Sequence, residues 1–304
     1  MIATTAIVTP LNITGNTTSE QQEALRKFLG EAVSAASRSA IEKLDRQTAQ
    51  LVLEKHARLK EEFTQSVIEI VQRYTVSDRY KEEETSSKRE YPPNYRVRPV
   101  EAQVTGLRKL FPKLGGCMER IARRPLPVGA EGWFAIPRWE AVAPTYNEAV
   151  ELVMEELGKQ RKFANRMQSK LSAAHLRATE RSERALSLLA GQQPGSDILV
   201  VGAQLGRLHR GCSARRTRVI MQGNEFGLGV FAFGCILLTH PERMSMMDTL
   251  MVDCGGDEYS LGADGIYDRV PLFEYDLGGL QFSVFYSDRS RNLWGSPSGF
   301  LFQM

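Results

Sequence analysis

"TYNEAVELVMEELGKQRKFANRMQSKLSAAHLRATERSERALSLLA", residues 145–190, is the stretch on which the fold turns. Val150, Val153, Leu157, Ala164, Met167, Leu171, Ala174, Ala178, Ala185 and Leu189 recur in it at intervals of three, four or seven. That spacing puts them on one face of a helix and predicts a single long helix over 145–190.

A long helix with an apolar stripe needs something to lie against, and residues 19–76 offer a match. Ser19 with Gln22 forms a capping-box signature. Apolar or small residues then recur at Leu25, Leu29, Val33, Ala36, Ala40 and Leu44, and again at Leu51, Leu59, Phe63, Val67, Ile70 and Tyr74. No proline interrupts this stretch, and Gly30 is its weak point, costing about 1 kcal/mol relative to alanine. The stretch reads as one very long helix or two helices in a hairpin; unbroken, it would extend about 85 Å at 1.5 Å per residue, far beyond a compact domain. It must therefore meet a second helix, either 145–190 of the same chain or a second copy of the protein.

The fold class expected is α+β. Long N-terminal and central helices form a helical hairpin or coiled-coil-like layer, joined to a C-terminal mixed α/β domain. By segment, residues 1–18 read as a flexible arm, 19–80 as a long helical module, and 81–144 as a proline-rich connecting region with short helices. Residues 145–190 read as the second long helix and 195–304 as the C-terminal α+β domain. "KEEETSSKREYPP" at 81–93 reads as a charged linker, and eight prolines follow between residues 91 and 144. Trp133, Phe134, Ile136 and Trp139 anchor that region to a core. Farther on, Ile198–Val201, Thr249–Asp253, Phe273–Tyr275 and Leu280–Tyr286 read as strands, the last two flanking a "DLGG" hairpin turn. Residues 225–239 lean to a buried helix.

The 304 residues are 42% apolar and 25% charged, an ordinary soluble composition. The N-terminus lacks a basic, apolar leader, and the longest apolar run is too short to span a membrane. Four dispersed cysteines match a reducing compartment, so the expected localisation is cytoplasmic, with no membrane partner. The net charge of +3 hides a strong polarity. Residues 1–157 hold 22 basic and 22 acidic side chains, residues 158–220 hold 13 and 3, and residues 221–304 hold 4 and 11. The basic segment ends in "RLHRGCSARRTR", 207–218, where Arg207, Arg210, Arg215, Arg216 and Arg218 make a candidate anion or nucleic-acid site. The competing expectation is that these guanidiniums neutralise the acidic C-terminal segment, within the chain or between subunits.

Asp253, Asp257 and Glu258 in "VDCGGDEY" are candidate ligands for a hard divalent cation, although glycine and aspartate also simply make turns. His209, Cys212, His240 and Cys254 can be drawn as a zinc set, without the close pairs that mark such sites. Phosphate-loop, metalloprotease, nucleophile-elbow and dinucleotide-binding motifs are all missing. The favoured reading is thus a non-enzymatic intracellular scaffold or assembly subunit, self-associating through long helices and charge complementarity, without a cofactor. The alternative is a nucleic-acid-associated accessory protein using the 158–218 stripe. Third is a metal-dependent hydrolase at Asp253, Asp257 and Glu258.

Overall fold

The computed structural model describes residues 18–57, 59, 60, 63, 64, 67 and 78–302. The expected arm over 1–17, and the Ile70 and Tyr74 end of the first apolar series, lie outside the described residues. The chain divides into a helical unit, Thr14–Asp78, and a larger body that includes Arg79–Met304.

In the helical unit, α1 spans Ser19–Ile41 and α2 spans Arg46–Glu54. The capping box that starts α1 is one residue earlier than the sequence suggests. Thr18 Oγ1 accepts from the Gln21 amide at 3.2 Å, and Gln21 Oε1 accepts from the Thr18 amide at 2.9 Å. The 23-residue helix stops at Ile41, and Asp45 restarts the chain as an N-cap, its Oδ1 taking the Thr48 amide at 2.7 Å. At 1.5 Å per residue α1 is about 35 Å long, well short of the roughly 85 Å of an unbroken helix over this stretch.

The body corrects the second half of the expected helical layer. The stretch 145–190 is not one helix but two, α4 (Tyr146–Gln160) and α5 (Glu180–Gln192), separated by the short strands β2 (Phe163–Asn165) and β3 (Leu176–Ala178). Among the described residues the longest helix is α1, and no helical hairpin or coiled-coil-like layer of long helices is present. The break has local causes. Ala149, Val150, Val153, Met154 and Leu157 bury one face of α4. The next stripe positions are Ala164, small and seven residues beyond Leu157, and Met167, ten beyond it, too little apolar area to hold another turn. Arg161 instead turns extended, and its guanidinium donates to the carbonyls of Leu237 at 2.7 Å and Pro241 at 3.0 Å. Phe163–Asn165 then pairs in parallel with Leu280–Phe282. Thr179 opens α5 as an N-cap, its Oγ1 accepting from the Ser182 amide at 3.3 Å.

Two sheets complete the body. The first runs β1 (Gly132–Pro137), β4 (Ile198–Gln204), β11 (Ser298–Phe300), β5 (Glu225–Gly227), every neighbour antiparallel. Side-chain amides extend its ladders where strands run out. Gln103 of α3 (Val100–Leu110) donates to Trp133 O at 2.9 Å and accepts from the Ala135 amide at 2.9 Å. Gln193 does the same for both backbone groups of Val200. The second sheet centres on β8 (Arg269–Asp276), paired with β9 (Gly279–Tyr286) on one side and with β6 (Met251–Asp253) and β7 (Asp257–Tyr259) on the other. Beyond these, β10 (Trp294–Gly295) joins β6, β3 joins β7 and β2 joins β9. The β8–β9 turn is Leu277–Gly278, both with positive φ, as a two-residue hairpin requires.

The core is built on α7 (Val230–Thr239), which follows α6 (Ala214–Ile220) and has all ten residues buried. A helix apolar on every side belongs inside a protein, and α7 packs against α3, α4 and β1. Phe233 reaches Phe273 of the second sheet at 5.9 Å between ring centroids. Gly234 lets α4 close in, since a Cβ there would stand 2.5 Å from Val153 Cγ1. The buried helix expected over 225–239 therefore starts later, because Glu225–Gly227 is strand β5.

Candidate functional site

The five arginines of 207–218 have partners within the body, and most of these lie upstream in the charged stretch 81–90. Arg207 pairs with Glu131 at 3.2 Å and Glu90 at 3.3 Å, and Arg210 also binds Glu90. Burial would raise the Glu90 carboxyl, but its bonds from Arg210 and Arg207 hold it below the usual range. Arg215 forks onto Glu83, with Nε at 3.1 Å from Oε1, while its guanidinium stands 4.1 Å from the centre of the Tyr80 ring. Arg216, only 2% exposed, reaches Glu84 at 2.5 Å and the Arg79 carbonyl at 2.9 Å. Arg218 donates to the carbonyls of Gly255 at 3.0 Å and Asp257 at 2.6 Å, with Glu258 at 3.7 Å.

The stretch expected as a linker is thus pinned along its backbone as well. The Thr85 amide donates to Gly211 O at 2.8 Å, and the Ser213 amide donates to Glu83 O at 3.0 Å. Gly211, with φ of +79°, allows this approach, because a Cβ would fall 2.0 Å from the Thr85 carbonyl oxygen. Farther up the basic stripe, Arg161 and Arg181 likewise donate to backbone carbonyls, and Arg177 pairs with Glu258 at 2.8 Å.

The three acidic candidates do not converge. Asp253 is buried and accepts from Ser296 Oγ; burial pushes its carboxyl up to about 6. Glu258 turns the other way along β7 to Arg177. Asp257, also fully buried, accepts from the Tyr146 hydroxyl at 2.7 and 2.9 Å and from the Val230 amide at 2.7 Å. It therefore caps the first turn of α7 from a neighbouring strand, where Gly229 has no side chain to do so. Burial pushes its carboxyl up to about 7, against these bonds and the charge of Arg218. No group of three or more His, Cys, Asp or Glu among the described residues is arranged to hold a metal. The paper zinc set is also dispersed: His209 Nε2 lies 2.6 Å from Glu225 Oε1, and His240 Nε2 accepts the Arg98 amide at 3.0 Å.

Around the Asp257–Tyr146 pair the body opens a cavity of about 360 Å³. The end of β1, the start of α4, the outer face of α5 and the first turn of α7 enclose it, bringing Trp139, Tyr146, Phe231 and Glu183 to its walls. Tyr146 packs edge-on against Trp139 at 6.3 Å and Phe231 at 6.4 Å. Sequence reading marks Asp257 but misses this pocket, since Tyr146 lies 111 residues from its partner and no local spacing links them.

The helical unit carries a different feature. None of the residues in α1 or α2 is buried, and Phe28 is 65%, Leu53 63% and Leu25 51% exposed. No helix among the described residues is long and apolar enough to cross a membrane. Compared with known proteins, the chain matches no family model, no curated protein and no solved structure.

Proposed function

We propose that the protein is an assembly subunit whose helical unit docks onto the same unit of a second copy. The observation that carries this reading is the exposure of a series of large apolar side chains on α1 and α2, none of them buried within the helical unit. Each such side chain is worth about 1.5–3 kcal/mol when taken out of water, so leaving them exposed is a standing cost that association removes. A second copy is favoured as the occupant by charge. Residues 19–57 hold six basic and six acidic side chains, interspersed along the sequence, so two copies carry no net charge to repel one another. Ala35, Ala36 and Ala40 also keep part of α1 narrow enough for close helix approach.

The body contributes rigidity under this reading, its arginines holding the 81–90 stretch rather than recruiting a partner. Changing Leu25 and Phe28 together to glutamate in the full chain tests the idea by light scattering. The mass is expected to fall to that of one chain while the body's circular dichroism is retained. A variant with the mass of the parent protein would refute it.

A further inference from the structure

We propose that the cavity beside Tyr146 binds an organic ammonium ion, a primary or methylated amine on a small carbon body. Its walls carry the two features that recognise such a cation. Three aromatic rings, Trp139, Tyr146 and Phe231, line one space, and a ring face attracts a cation placed over it. Carboxylates border the same space. Asp257 is fully buried beside it, and the exposed Glu183 and Glu140 also line it. No side chain among the described residues forms an ion pair with Glu183, so its charge is available to a ligand.

The one basic residue in the wall, Arg138, faces Glu140 at 3.8 Å, which leaves the negative field of Glu183 in the cavity. An anion would meet that field unpaired, and a neutral molecule would gain nothing from it. Tyr146 donates its hydroxyl hydrogen to Asp257, so its oxygen keeps lone pairs free to accept from an ammonium group. A volume of about 360 Å³ suits a ligand of nucleoside size or smaller.

The test is calorimetric titration of the full chain with three probes of one shape: phenethylammonium, 3-phenylpropionate and phenethyl alcohol. Saturable binding of the ammonium alone is expected. Glu183→Gln, a solvent-facing change, should weaken it about fivefold, the worth of one partly screened ion pair. Trp139→Leu should weaken it by a similar factor through the lost ring. Equal binding of the alcohol or the carboxylate, no saturation with phenethylammonium, or an unchanged affinity in Glu183→Gln would each overturn the proposal.

Discussion

Replacing Asp257 with asparagine should change how stability depends on pH, and the direction follows from burial. In the folded chain the Asp257 carboxyl sits near 7, against an ordinary value of 3.8. The native state therefore holds a proton that the unfolded state has already released between roughly pH 4 and pH 7. Stability from this group is fully present below about pH 4 and is lost as pH rises through about 7. At 1.36 kcal/mol per pH unit the loss totals about 4 kcal/mol, a large share of the ~5–15 kcal/mol typical of a folded domain. Asparagine keeps an oxygen for Tyr146 and carries no charge at any pH. Urea unfolding of both proteins at pH 4.5 and pH 8 isolates the effect, because Asp253 and other titrating groups are common to the two. The stability of the parent relative to Asp257→Asn should drop by several kcal/mol over that interval. A difference that stays constant with pH would refute the view that Asp257 is buried and titrates near neutrality.

Other changes probe the packing and the arginine clamp. Gly234→Ala places a methyl 2.5 Å from Val153 Cγ1 and should cost about 1–3 kcal/mol in thermal or urea unfolding, with much of it restored by adding Val153→Ala. Gly278→Val forces a branched residue into the left-handed position of the β8–β9 turn and should cost at least about 1 kcal/mol by the same measurement. Arg216→Glu sets a buried carboxylate against Glu84 and should destabilise the body by about 3 kcal/mol or more. Because the guanidiniums of 207–218 already hold partners, retention on immobilised DNA should show a salt slope much shallower than the roughly −5 of five free phosphate contacts.

The parts of this fold that are legible in sequence are those set by neighbours a few residues apart. The β8–β9 hairpin and the strand Ile198–Gln204 are visible in alternation, apolar runs and turn residues. The burial of Trp133, Phe134 and Ile136 follows from their concentrated apolar area. The long helix over 145–190 misleads because alanines at helical spacing satisfy a pattern without supplying area to bury. Ala164 and Ala178 lie in strands, where backbone pairing with β9 and β7 outweighs a thin stripe. The partners of the arginines are hidden for a different reason. Overall charge pointed to the acidic C-terminal segment, whereas Glu83, Glu84, Glu90 and Glu131 supply most of the carboxylates. Asp257 stands out in sequence as an acidic residue beside a Gly-Gly pair. Its role as a cap for α7 depends on Gly229 and Tyr146, which only the tertiary fold brings near.

The assembly claim is tested most directly by sedimentation velocity of the full chain across a hundredfold range of concentration. The exposed side chains of α1 and α2 predict a species heavier than the 34.1 kDa chain that dissociates on dilution. A single 34.1 kDa species at every concentration would contradict the account.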